Sequence, residues 1–271
     1  MTAIEVASGT ARLWGDVEGA GETVVLVHAG ITDARMWDPF ARLLAEERRV
    51  VRYDLRGYGR SALPPGPFSH VDDLARVITA TADAPVHLVG ASMGGRISLD
   101  LALDRPGLVR SLVLLGTVVS GFDPDVPPPP LWEQVVAADR ADDLDALADA
   151  ETRLWLADPD GSRLPAALRD LVRDMDRIAL RNERSGVAAE VPVDRPAVDR
   201  LHTLERPTLV VDGDLDIEDA RLAADLLGDR LPQVERVRLP GTAHLPALER
   251  PDEVATLVRR FLSAVERRPV T

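Results

Sequence analysis

A chain of 271 residues, 45% hydrophobic and 28% charged, has the length and balance of one globular domain with room for an insertion. Its formal charge of −13 argues against a nucleic-acid partner, whose phosphates need a basic surface. The absence of cysteine and lysine excludes thiol nucleophiles, disulfides, cysteine-based metal or cluster sites, Schiff-base lysines and phosphate loops ending Gly-Lys-Ser/Thr.

In chain order, Met1–Glu5 lacks the basic and apolar regions of a secretory signal, and no later stretch reaches the length of a membrane span. A cytoplasmic location without membrane contact is expected. Ile4–Gly15 supplies one or two antiparallel edge strands. The runs Thr23–His28, Arg49–Asp54, Val86–Gly90, Leu112–Leu115, Thr208–Asp212 and Val234–Leu239 read as strands. Most are near-continuous Val/Leu runs, as expected for parallel strands covered on both faces. Helices are expected over Met36–Glu46, Val71–Ala80, Gly94–Asp104, Asp219–Leu227 and Asp252–Val265, the last entered at Pro251. This alternation predicts an α/β fold: a mostly parallel sheet with helices on both faces and right-handed crossovers.

Residues 117–204 break the rhythm, with no convincing strand. The segment opens on the extended Pro127–Pro130 run. Leu168, Leu171, Val172, Met175 and Ile178 then form one apolar helical stripe, and Leu144, Leu147, Leu154 and Trp155 suggest another. A helical cap inserted into a core of residues 1–116 and 205–271 is expected. Eleven acidic residues lie in Asp123–Asp160 against Arg140 and Arg153, which reads as a solvated outer face.

The chemistry is concentrated at Gly90-Ala91-Ser92-Met93-Gly94-Gly95, directly behind a strand and ahead of a helix. This is a Gly-x-Ser-x-Gly nucleophile elbow in the context that motif requires. Its turn is too tight for bulk two residues either side of the serine. Ser92 needs a base, because a free hydroxyl is a poor nucleophile at neutral pH. Of five histidines, His244 falls in a loop just beyond the last strand, where loops of an open α/β sheet converge on one crevice. The run Asp212–Asp216 offers three carboxylates to orient that imidazole. Asp216 is favoured because Gly213-x-x-Asp216 lets the chain turn first, with Asp214 as the alternative and Asp212 assigned to the turn.

The backbone amides of Met93 and Gly30 are candidate oxyanion donors, one following the nucleophile and one following an upstream strand. His28 and the loop Asp54–Ser61 read as structural supports. Trp37, Trp132 and Trp155 are candidates for lining an apolar substrate pocket, against the alternative that they pack in the core or at the cap interface. Nothing matches a dinucleotide loop or a paired-histidine metal motif, so neither cofactor nor metal is expected.

His28-Ala29-Gly30, Asp54–Ser61, Gly90-x-Ser92-x-Gly94-Gly95, Gly213-x-x-Asp216 and Gly241-x-x-His244, in that order, resemble the α/β-hydrolase fold superfamily over nearly the whole chain. Ser92-Met93-Gly94-Gly95 and the compact cap look most like its small-substrate members: enzymes similar to 3-oxoadipate enol-lactonase, carboxylesterases and C–C bond hydrolases. Ala29 departs from the His-Gly usual in that loop. The resemblance implies a serine hydrolase of a small ester or lactone. A C–C hydrolase of a β-diketone or dienoic ketone, a perhydrolase-like side activity and a non-catalytic small-molecule binder remain as alternatives. No motif sets the oligomeric state.

Overall fold

The computed structural model describes residues 1–267; the last four residues of the expected core, 268–271, lie outside them. The chain begins with an antiparallel hairpin, β1 (Thr2–Ser8) and β2 (Ala11–Glu18). It continues through β3 (Thr23–Val27), a 3-10 turn (Ala34–Trp37), α1 (Asp38–Ala45), β4 (Arg49–Tyr53), the short β5 (Gly66–Phe68) and α2 (His70–Thr81). Next come β6 (Val86–Ala91), α3 (Met93–Asp104) and β7 (Val109–Leu115). The helices α4 (Trp132–Arg140), α5 (Leu144–Trp155) and α6 (Ala166–Arg184) and the strand β8 (Ala188–Glu190) follow. The chain then returns to β9 (Thr208–Gly213), α7 (Glu218–Arg230), β10 (Val234–Leu239), α8 (Pro246–Glu249) and α9 (Pro251–Glu266).

Eight strands form one sheet in the order β1-β2-β4-β3-β6-β7-β9-β10, parallel from β4 to β10 and antiparallel at the β1 and β2 edge. Side chains alternate across it. Val25 and Val27 of β3 pack with Leu74 and Ile78 of α2, Ile97 and Leu101 of α3 and Leu227 of α7. Val24 and Leu26 pack on the other face with Phe40 and Leu44 of α1 and Val258 and Leu262 of α9. Both faces are therefore dry, which is why the strands read as continuous apolar runs rather than alternating ones. The strand order reverses beside β3: the chain leaves it for β4 and returns to β6 on its other side. The loops after β3 and β6 diverge there and open the crevice where ligands of such sheets bind.

Three local expectations need correction. The helix expected over Met36–Glu46 is split, with a 3-10 turn capped by Asp33 before α1 starts and Pro39 in its first turn, where a missing amide costs nothing. Within 117–204 one strand does form: β8 pairs in parallel with β5 of the core. Three residues, Ala188-Ala189-Glu190, are too few to show any periodicity. The acidic stretch is also less uniformly solvated than its composition suggested. Asp158 has its carboxylate fully buried against Arg169, and Glu151 is turned half-inward.

Helices α4 to α6 close a small core of their own around Val135, Leu147, Leu154 and Leu180. Val172 and Met175 of α6 reach down into the cluster that contains Phe40 and Leu26. Their register explains the apolar stripe read from the sequence.

Candidate active site

At the end of β6 the backbone turns at Ser92 with φ +48° and ψ −114°, a left-handed conformation that a non-glycine residue adopts at a cost. Such strain persists only where the surroundings hold it. The Ser92 N–H donates to the Leu115 carbonyl of β7 at 2.9 Å, and the Ser92 carbonyl accepts from the Arg96 amide of α3 at 3.0 Å. The flanking glycines are there for space: a Cβ at Gly90 would collide with the Gly94 carbonyl, and one at Gly94 with the Val27 carbonyl of β3.

His244, in the loop between β10 and α8, meets Ser92: Nε2 accepts from the hydroxyl across 2.7 Å. Its other ring nitrogen, Nδ1, donates to both carboxylate oxygens of Asp216 at 2.9 Å. This second bond fixes the tautomer that leaves Nε2 free to accept. Asp216 is itself held by the Ile217 amide at 2.8 Å, and both the Asp216 and His244 side chains are almost fully buried. The other two carboxylates of the loop are engaged elsewhere. Asp214 accepts the Gly241 N–H at 2.7 Å, and Asp212 is forked by Arg236 and Arg238. Three side chains from the ends of β6, β9 and β10 thus form one hydrogen-bonded line.

Across the crevice, Gly30 lies against Met93: a Cβ on Gly30 would sit 3.7 Å from the Met93 sulfur. The loop carrying Gly30 is anchored by His28, whose Nδ1 donates to the Ala29 carbonyl at 2.8 Å while Nε2 accepts from the Leu55 amide at 2.9 Å. Complete burial holds His28 below its ordinary pKa, keeping the neutral ring that both bonds require. Asp54 accepts from the Ala34 and Arg60 amides at 2.9 Å, and Arg56 forks onto Asp73. Ala29 fits this loop without left-handed backbone; among described non-glycine residues only Ser92, Asp142 and Ala157 have positive φ.

The three tryptophans separate. The Trp155 ring lies on His244 with centroids 4.4 Å apart, and its carbonyl accepts the His244 N–H at 3.2 Å. Trp37 is instead fully buried as a core side chain against Phe40, because the inward face of its 3-10 turn packs onto α1. Trp132 starts α4 with 42% of its surface exposed. The pocket expectation is corrected for Trp37, which takes the core alternative.

Two residues near the line carried no sequence signal. Glu249, on α8, has a side chain of 0% exposure and accepts from the Ala243 and Leu245 amides at 3.2 and 3.3 Å, bracketing His244. Arg163, from the loop before α6, pairs with that carboxylate at 2.8 Å and donates to the carbonyls of Gly241 and Leu156. In the sequence both look like ordinary surface charges.

The sequence profile of the alpha/beta hydrolase family matches residues 24–257. The chain belongs to that family. It is similar over 267 residues, at 28% identity, to the pimeloyl-[acyl-carrier protein] methyl ester esterase of Methylococcus capsulatus, covering 92% of this chain and 98% of that one. A protein of Caulobacter segnis provisionally described as a carbamate hydrolase is 44% identical, but over 103 residues only, 35% of this chain and 38% of the relative. Among solved structures, Est816, described as an N-acyl homoserine lactone degrading enzyme, superposes with a TM-score of 0.78 at 25% identity, covering 95% of this chain and 100% of that one. This alpha/beta hydrolase is accordingly an enzyme of hydrolytic type. Among its described residues, no helix is long and apolar enough to cross a membrane.

Proposed function

We propose that this alpha/beta hydrolase cleaves a small carboxylic ester or lactone through an acyl-enzyme on Ser92, with the helices α4 to α6 as its cap. The observation that carries the reading is the unbroken line from the Ser92 hydroxyl through His244 to Asp216, at 2.7 and 2.9 Å. In the first half-reaction the Ser92 oxygen attacks the carbonyl carbon while Nε2 of His244 takes its proton. Asp216 holds the ring's orientation and stabilises the imidazolium. The amides of Met93 and Gly30 receive the developing oxyanion, where a single donor is worth roughly 10²–10³ in rate. The imidazolium then protonates the departing alkoxide, which stays tethered in the case of a lactone. In the second half-reaction water attacks the acyl-enzyme with His244 again as base, and the acid leaves. The esterase and lactone-degrading relatives support this substrate class. The test is turnover of short-chain esters, lactones and β-diketones by the wild type and Ser92→Ala. Ester or lactone cleavage lost in Ser92→Ala is expected. Turnover confined to β-diketones would replace the reading with C–C hydrolysis, and no Ser92-dependent turnover with tight ligand binding would replace it with a binder.

A further inference from the structure

The loop 29–33, which carries the Gly30 amide, is contacted by thioethers. The Met36 sulfur accepts the Ala29 N–H at 3.5 Å and the Thr32 hydroxyl at 2.9 Å, and the Met175 sulfur accepts the Asp33 N–H at 3.4 Å. Met93 adds a third: a Cβ on Gly30 would stand 3.7 Å from its sulfur, which also receives the Tyr58 hydroxyl at 3.9 Å. Three of the four methionines thus converge on one loop, in a chain without cysteine. The fourth, Met1, meets the Arg52 guanidinium at 3.4 Å.

These sulfurs differ in what can reach them. Met36 and Met175 are 0% exposed, Met1 is 81% exposed, and Met93 is half-buried beside the nucleophile. Oxidation of a thioether follows access and turns an apolar side chain into a polar, chiral one. Around Met93 that change meets a prepared donor. The Tyr58 phenol aims at the sulfur, and an oxygen placed on that side of Sδ stands about one bond length nearer, in range of an ordinary hydrogen bond. The sulfoxide is therefore satisfied rather than left as an unpaired polar group. On its other side Sδ faces Gly30, so the enlarged head sits between the two residues whose amides serve the oxyanion.

Building on the Ser92 reading, we propose that Met93 is a modification site for hydrogen peroxide, and that its sulfoxide switches the enzyme off reversibly. The sulfur lone pair attacks one peroxide oxygen and the O–O bond breaks. The hydroxide that leaves takes the proton of the transferred hydroxyl and departs as water; Met93 has lost an electron pair to the peroxide. The Tyr58 hydroxyl then donates to the sulfoxide oxygen, and the altered side chain moves the Met93 and Gly30 amides out of register. A displacement of an ångström or less is enough to cost about tenfold to a hundredfold in rate. A thiol-dependent methionine sulfoxide reductase returns the thioether, with the oxygen leaving as water and the thiols becoming a disulfide.

The test exposes the wild type to graded hydrogen peroxide, quenches with catalase, and reads each methionine by peptide mass and Ser92 by its rate of fluorophosphonate labelling. Met1 and Met93 are expected to gain one oxygen each while Met36 and Met175 stay reduced. The labelling rate should fall at least about tenfold in step with Met93 and not with Met1, with cooperative unfolding retained. Reductases for both sulfoxide epimers should restore it. Met93→Leu has no sulfur there and should keep at least about half of its own untreated rate at the dose that silences the wild type. Should that variant fail to fold, reversal by the reductases on the wild type carries the comparison. Tyr58→Phe removes the donor, so oxidation should lower its melting temperature more than the wild type's; equal shifts overturn the phenol's part. Met93 left reduced after Met1 is fully converted, oxidation of Met36 and Met175 alongside it, or Met93→Leu losing its rate as the wild type does overturns the switch. A wild type that does not label before any peroxide removes the Ser92 reading and the switch together, whereas labelling indifferent to the Met93 sulfoxide removes the switch alone.

Discussion

Replacing Glu249 with glutamine separates alignment of His244 from the reactivity of the line itself. The carboxylate is fully buried, accepts amides on both sides of His244 at 3.2 and 3.3 Å, and pairs with Arg163 at 2.8 Å. Removing it outright in Glu249→Ala would strand two amides and a guanidinium. Breaking a buried pair from one side costs about 3–5 kcal/mol, a large part of the roughly 5–15 kcal/mol that holds a domain folded. Glutamine is gentler, since its carbonyl keeps an acceptor for the amides and only the charge is lost. The expected loss is roughly 1–3 kcal/mol of stability, read by urea denaturation with the slope unchanged. The loop that carries His244 then loses its ion pair and relies on one acceptor oxygen, while the ring keeps its bonds to Asp216 and Ser92 and its contact with Trp155. A displacement well under an ångström is enough to lower kcat about tenfold to a hundredfold while KM moves little. Arg163→Met should show the same pattern, because it leaves the same buried carboxylate without its guanidinium. Steady-state kinetics on any substrate found in the ester screen, with the folded fraction measured on the same samples, decides it. A Glu249→Gln protein with wild-type kcat per folded molecule would refute the positioning argument.

Other outcomes follow from the same contacts. Gly94→Ala should abolish activity and lower thermal stability by several degrees, because its Cβ meets the Val27 carbonyl of a central strand that cannot yield; a fully active variant would show that the elbow relaxes. Trp155→Ala removes the ring on His244 and should cost roughly threefold to tenfold in kcat/KM, the worth of an aromatic contact; unchanged kinetics would make the ring incidental. Stability should fall on both sides of a mildly acidic optimum, for opposite reasons. Burial holds His70 down to about 3 and His87 to about 4, so below 6.5 the unfolded chain takes protons the fold refuses, and stability drops as pH falls. Glu151 and Asp176 are raised, so the fold keeps protons the unfolded chain has already released, and stability drops as pH rises through about 7 and 9. Asp176→Asn should flatten the alkaline limb, worth at most about 1.4 kcal/mol per pH unit for each retained proton; an unchanged alkaline slope in melting curves would contradict the placement of that carboxyl.

The parts of the fold that could be read from the sequence are those with long-range physical repetition. Two-sided burial writes β3, β6 and β9 as Val/Leu runs, and the steric demand at Ser92 writes glycines at fixed spacing. The parts that could not be read depend on contacts between distant residues. The turn spacing after Gly213 favours Asp216 but leaves Asp214 open; distant contacts separate them, the Gly241 amide taking Asp214 and the His244 ring taking Asp216. Trp37 and Trp155 are alike in sequence, yet one packs on Phe40 and the other on His244. Glu249 and Glu151 sit among other charges and look solvated until the fold turns them inward.

Intact-mass analysis after exposure to a fluorophosphonate reports on the Ser92–His244–Asp216 line most directly. One adduct per chain, mapped to Ser92 by peptide sequencing, absent from Ser92→Ala and formed at least about a thousandfold more slowly in His244→Ala, is the result expected of a serine activated by that histidine. An unmodified wild type, an adduct on a different residue, or labelling at wild-type rate in His244→Ala would contradict it.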